Sequence, residues 1–305
     1  MPSPPSGRQV EIAFGAHRAT LVEVGGGIRT YEVGDWPVLD GYSADEMCTA
    51  ARGQPLAPWP NRLRGGAYVW DGEELRVPLD EPDQGNAIHG LTRWRNWTLA
   101  EHAPACATLT LRLHPLPAYP FLLDLAVTYV LDEAGLTVTT TARNAGTRPC
   151  PFAYGAHPYL SVGTERVDDA VLNMAAATYL PTGEGQIPLG RKPVAGTPYD
   201  FLEPRLIGAT EIDYAFTDLE RTRAGRAELT LATPSGDRRV IFWIDGAFHY
   251  LEVFTGDTIP APRRRVGLGV EPMTAPPNAF ATGEDVIRLE PGAEVTMRWG
   301  IRPER

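Results

Sequence analysis

The chain has 305 residues, 43% of them hydrophobic, and carries a formal charge of -10 at pH 7. That apolar content supports a sizeable core and excludes general disorder, while the acidic balance repels phosphate backbones and excludes nucleic acid as a partner. With 31 glycines and 29 prolines and no short repeat, the composition favours many turns between short strands over long helices.

In chain order, Met1 to Gly15 hold no apolar segment behind a basic start, and no later apolar run reaches membrane-spanning length. A cytoplasmic protein with no membrane partner is expected, as a monomer or homodimer. Thr20-Leu21-Val22-Glu23-Val24 alternates with a period of two, which is the pattern of a half-buried strand. Gly25-Gly26-Gly27 lacks the Lys-Ser/Thr of a phosphate loop and reads as a turn or bulge. Asp45 to Ala51 reads as a short turn of helix. Tyr68-Val69-Trp70, Asp71-Gly72 and Leu75-Arg76-Val77 form a hairpin signature. Leu109 to Leu113 and Glu228 to Leu231 alternate again, and Leu136 to Thr141 is a β-branched run behind a turn at Asp132 to Gly135. Pro55–Pro60, Pro115–Pro120, Pro181–Pro198 and Pro260–Pro262 are loops between strands. The expected fold is all-β: one domain over residues 1–305, built as a large antiparallel β-sandwich.

Cys48, Cys106 and Cys150 are odd in number and show no CxxC spacing, so buried thiols are expected instead of a disulfide framework or zinc knuckle. The six histidines show no HxH or HExxH arrangement, and neither a phosphate loop nor a GxSxG elbow is present. No metal and no cofactor are expected. What remains is a set of ionisable residues set beside glycine, proline or aromatics: Pro58-Trp59-Pro60-Asn61-Arg62, Asn86-Ala87-Ile88-His89-Gly90, Tyr154-Gly155-Ala156-His157-Pro158-Tyr159, Ile212-Asp213-Tyr214 and Gly269-Val270-Glu271-Pro272-Met273-Thr274 with its tail Pro276-Pro277-Asn278-Ala279-Phe280. Proline and glycine fix backbone direction at these points, and aromatics exclude water. Taken singly, each has an ordinary structural reading, as a turn or core histidine, a surface ion pair or a turn cap.

Together, and in this order, the segments resemble the aldose 1-epimerase (galactose mutarotase) family across most of the chain. Thr197-Pro198-Tyr199-Asp200-Phe201 is similar to a further stretch of that family. Trp59 to Leu63 and His89-Gly90-Leu91 look like a bacterial subgroup and depart from the animal galactose enzymes, where a second glycine more often follows the His-Gly pair. The resemblance implies a galactose mutarotase-like supersandwich with an open central cleft. It implies Glu271 as general base on the anomeric hydroxyl and His157 as general acid to the ring oxygen. Arg62, His89 and Asp213 would hold sugar hydroxyls, with Asn61 and Tyr159 beside them.

The chemistry suits these residue types. Anomer exchange needs a base at the C1 hydroxyl, an acid at the ring oxygen, rotation about C1–C2 in the open aldehyde, and the same pair in reversed roles to close the ring. A carboxylate and an imidazole, with ordinary pKa values near 4.3 and 6.5, can run both directions unaided. Activity is then expected to fall in acid as the carboxylate protonates and in alkali as the imidazole loses its proton. Trp94, Tyr159 or Phe280 would supply an apolar wall to the sugar face. Three other readings stand beside this one. Glu271 and Asp213 form a possible glycosidase acid–base pair. A sugar-binding protein without catalysis would use the same scaffold. A phosphorylated or sulfonated hexose would need cationic partners, for which Arg93, Arg95 and Arg263-Arg264-Arg265 are the candidates.

Overall fold

The computed structural model describes residues 3–305; Met1 and Pro2, within the expected domain, lie outside the described residues. Strands dominate and pair antiparallel throughout the main sheets. Where the sequence alternates, burial alternates with it: along Leu123–Asp132 every second side chain is buried, because successive residues point to opposite faces of a sheet. Tyr68 to Trp70 and Glu73 to Arg76 pair as a hairpin whose two turn residues, Asp71 and Gly72, have φ values of 48° and 83°. A two-residue turn of that kind matches the twist of its strands.

A nine-stranded sheet runs from Thr98–Ala103 at one edge through Leu123–Asp132, Gly135–Asn144 and Glu294–Glu304 to Arg205–Leu206 at the other. A second, eight-stranded sheet carries, in spatial order, Ala176–Leu180, Asp213–Leu219, Tyr250–Phe254, Leu268–Met273 and Gly155–Ala156. Tyr159–Leu160 also pairs with Leu268–Met273. A four-stranded sheet from the N-terminal segment completes the sandwich, and apolar side chains of all three merge into one main core, with Leu180, Ala215, Tyr250 and Met273 of the eight-stranded sheet in a second small cluster. Tyr250–Phe254 and Leu268–Met273 are buried almost throughout, as central strands covered on both faces should be. Charged side chains on those two strands are therefore conspicuous.

Several expectations need correction. Asp45 to Ala51 forms turns and irregular chain, not helix; among the described residues, α-helix is confined to Ala279–Thr282. Ala50 and Ala51 turn the chain with positive φ, 51° and 52°, so the run does not continue as helix. The strand expected over Thr20 to Val24 is His17–Val22, and Val24 makes only an isolated bridge to Asn96, because Gly25 and Gly26 turn the chain away with positive φ. Two proline-led loops enter the eight-stranded sheet. Pro55–Leu56 and Lys192–Pro193 form its outer strands, where a missing N–H costs no ladder bond. The three cysteines are free thiols. No helix among the described residues is long and apolar enough to cross a membrane.

Candidate active site

All seven residues singled out in the sequence line one cleft with a volume of about 780 Å³: Asn61, Arg62, His89, His157, Tyr159, Asp213 and Glu271. They come from five separate stretches of chain, and the fold brings them together at the Leu268–Met273 strand and the turns facing it.

Asn61 and His89 hold each other. The Asn61 backbone N–H donates to Nδ1 of His89 at 3.1 Å, and the His89 N–H donates to the Asn61 carbonyl at 2.9 Å. Both residues have positive φ, 53° and 62°, a conformation asparagine tolerates and histidine holds only under constraint. Gly90 supplies the constraint. Its φ is 72°, and a Cβ there would stand 2.1 Å from the Ala57 carbonyl oxygen, so only glycine lets the two loops approach. Because Nδ1 of His89 accepts, its proton sits on Nε2, which is left to donate. Burial drives the His89 pKa well below the ordinary value, with His157 and nearby arginines adding to the effect. The ring is therefore a neutral donor.

Arg62 lies on the short strand Arg62–Arg64, paired with Asn86–Ile88. Its Nε and Nη2 donate to the two oxygens of Glu81, at 2.9 and 3.0 Å, which leaves Nη1 uncommitted. The Pro-Pro-Asn-Ala-Phe tail works from behind. The Asn278 N–H donates to the Arg62 carbonyl, and Asn278 Oδ1 accepts from the Arg64 N–H. Phe280 packs among Trp59, Tyr68 and Tyr119 in the core, and Trp94 is exposed away from the cleft. Of the three aromatics considered for a sugar-facing wall, only Tyr159 lines the site.

His157 and Glu271 meet at the centre. Nε2 of His157 is 3.1 Å from Oε1 of Glu271. The His157 ring lies parallel to Tyr159, centroids 4.9 Å apart, and the Arg52 guanidinium covers the other side of Tyr159 at 4.4 Å. Burial first, then the Arg52 and Arg93 charges, lower the His157 pKa to about 3. Burial, reinforced by Asp213, pushes the Glu271 carboxyl well above its usual range. These directions reverse the order assumed from ordinary values. The proton shared by the pair rests more stably on Glu271 than on His157.

Asp213 opens its strand opposite Phe254, and burial raises its pKa against the opposing pull of Arg62. The sequence reading passed over Glu252, which sits directly across from Glu271 on the neighbouring strand and is 3% exposed. It also passed over Arg52 and Glu81. Glu252 left a signal: a lone acid inside the apolar run Tyr250–Phe254. Arg52 and Glu81 left none, because their partners Asp40 and Arg62 are distant in sequence.

The cleft arginines are already matched with carboxylates: Arg62 with Glu81, Arg93 with Asp80, and Arg263 with Asp40 and Glu46; behind them Arg52 pairs with Asp40. Of the cations considered for an anionic sugar, Arg93 and Arg263 reach the wall; Arg95 and Arg264 are exposed elsewhere, and Arg265 is buried against Asp168 and Asp257. Donor atoms of His89, His157 and Glu271 all lie within 4.8 Å of one another.

The family model described as aldose 1-epimerase matches residues 8–302. An uncharacterised Escherichia coli K12 protein, YihR, is 33% identical over 301 residues, covering 98% of this chain and 94% of that protein. An aldose 1-epimerase of the same organism is 28% identical over 218 residues, covering 68% of this chain and 61% of that one. Among solved structures, a GalM/aldose epimerase homologue from C. elegans superposes with a TM-score of 0.87 at 17% identity, covering 98% of this chain and 99% of its own, a likeness of fold.

Proposed function

Because the chain belongs to the aldose 1-epimerase family, we propose that it interconverts the α and β anomers of a free hexose by acid–base catalysis with ring opening. The observation that carries this reading is the His157–Glu271 pair at 3.1 Å inside a cleft that also presents Arg62, His89 and Asp213. The two oxygens that must exchange protons in a hemiacetal sit on one carbon, so an acid and a base in mutual contact reach both. From the tautomer in which the shared proton has moved to His157, Glu271 takes the anomeric proton and His157 supplies the ring oxygen, then the roles reverse on closure. Arg62 Nη1, His89 Nε2 and the Asp213 carboxylate hold ring hydroxyls, with Asn61 fixing His89 and Tyr159 backing the imidazole. Each positioned proton-transfer group is worth about 10²–10⁴ in rate, ample for a reaction that free sugars already undergo slowly.

The matching of every cleft arginine with a carboxylate favours an uncharged aldose. One observation favours an anionic hexose: Arg93 lines the cleft and its Nε is buried without a partner. Polarimetry or NMR saturation exchange decides between them. Pure anomers of neutral, 6-phosphorylated and 6-sulfonated hexoses are compared, and acceleration of a neutral anomer with no added metal or nucleotide is expected. Tight sugar binding without any acceleration of exchange across the panel would return the protein to the sugar-binding reading.

A further inference from the structure

Three carboxyl groups share one face of three adjacent strands. Glu252 on Tyr250–Phe254 is in register with Glu271 on one side and with Ala215 on the other. Residues in register project to the same face, and Asp213, two residues from Ala215, joins that face as a diagonal neighbour. The Asp213 and Glu252 carboxyls lie within hydrogen-bonding reach of each other. The charged groups that bear on Glu252 are these two acids and Arg62, and both hydrogen-bonded nitrogens of Arg62 are committed to Glu81. Three buried carboxylates facing one cation that already has its own anion cannot all stay ionised. Asp213 and Glu271 line the cleft, where a sugar hydroxyl can satisfy them. Glu252 does not line it, and its Oε2 is buried with no partner.

We propose that Glu252 is a positioning residue of the proposed mutarotase site: it stays a neutral carboxylic acid, donates its O–H to the Asp213 carboxylate, and so keeps Asp213 turned as an acceptor for one sugar hydroxyl. The inference rests on the functional reading for the role of Asp213, but the stored proton rests on the sheet geometry alone. A neutral donor under Asp213 leaves the cleft floor with one fewer negative charge beside Glu271. Burial and the two neighbouring acids hold the Glu252 carboxyl well above its usual range, in the same direction.

Two measurements test it, and they fail separately. The first needs no substrate. Infrared difference spectra of wild type minus Glu252→Gln at pH 7 should show loss of a carboxylic-acid carbonyl band; loss of carboxylate stretching bands instead overturns the proposal. The second compares variants on whichever aldose is turned over. Glu252→Gln keeps an N–H donor for Asp213 and should hold KM within about two-fold, whereas Glu252→Ala should raise KM by about ten-fold with kcat changed less. Equal damage from both substitutions, or a wild-type KM in Glu252→Ala, also overturns it. If Glu252→Ala does not fold, Glu252→Gln and the infrared spectrum still decide. If no aldose is turned over, the mutarotase reading fails while the infrared result stands on its own.

Discussion

Nε2 of His157 lies 3.1 Å from Oε1 of Glu271, while the outer atoms of the same two groups, Nδ1 and Oε2, are buried without partners. One proton therefore joins the pair, and its two placements, on carboxyl or on imidazole, are tautomers of equal net charge. The rate should be flat wherever the couple holds that single proton. A second proton enters at His157, pulled down to about 3, and the last proton leaves from Glu271, held well above the carboxylate range. So the acid limb of the kcat profile belongs to the imidazole and the alkaline limb to the carboxyl, the reverse of the ordinary-value expectation. Arg52→Met tests the order. It removes a charge that lowers His157, and the acid limb should move to higher pH while the alkaline limb stays. Movement of the alkaline limb alone restores the ordinary order.

Arg62, His89 and Asp213 are proposed to hold hydroxyls in ground and transition states alike. Loss of a uniform contact raises KM more than it lowers kcat. A hydrogen bond to a charged group is worth about 1.5–3 kcal/mol, so Arg62→Ala and Asp213→Asn should raise KM by about 10–100-fold, with His89→Asn at the lower end. Steady-state kinetics on the best substrate check this; wild-type kinetics in all three would place these residues outside the working site.

Glu252 also sets a slope of stability against pH. Its folded pKa is raised, so between the ordinary carboxylate value near 4.3 and the folded value the native state keeps a proton that the unfolded chain has released. Wild-type stability therefore falls as pH rises through that window, by up to about 1.4 kcal/mol per pH unit for the one group. Glu252→Gln has no such proton to lose. Thermal unfolding should show its Tm gaining on wild type as pH rises from 4 to 8. A gap that narrows over this range would mean that Glu252 is ionised in the folded protein.

His89 Nδ1 is engaged by the Asn61 N–H and His157 Nε2 by Glu271, and the proposed reaction uses His89 Nε2 as a donor to a sugar hydroxyl, so none of its steps needs a metal. Extended dialysis against EDTA should leave exchange rates unchanged. Loss of activity on chelation, with recovery on adding zinc, would replace the cofactor-free mechanism.

How much of this was legible in the sequence follows from what each residue leans on. Strands such as Leu123–Asp132 were readable because burial there depends on local alternation. The hairpin at Asp71-Gly72 was readable because a two-residue turn names its own residues. The seven cleft residues stood out because their five segments, set with glycine, proline and aromatics, together resemble a known family. Glu81 and Arg52 did not, since their roles come from partners 19 and 12 residues away with no local pattern. Asp45 to Ala51 misled because nothing in the run announces the positive φ that Ala50 and Ala51 adopt, a conformation alanine rarely takes. The order of the two central pKa values was beyond composition altogether, since it arises from burial and from the Arg52–Tyr159–His157 stack.

The acid–base pair carries the last prediction. Glu271→Gln preserves size and hydrogen bonding but removes the group that exchanges a proton; His157→Asn preserves a polar contact but removes the imidazole. Each should lower kcat by at least about 10²-fold with a smaller change in KM. Because both residues serve the same transfers through one shared proton, the losses cannot multiply. Once either partner is gone, the survivor has no couple to work in, and it faces an amide instead of the group that lay 3.1 Å away. The double variant should therefore be nearly as active as the weaker single variant, far above the product of the two losses. Exchange NMR on the three folded variants measures it. Fully multiplicative losses would mean that the two groups act on separate steps, and near-normal kcat in either single variant would remove that residue from the mechanism.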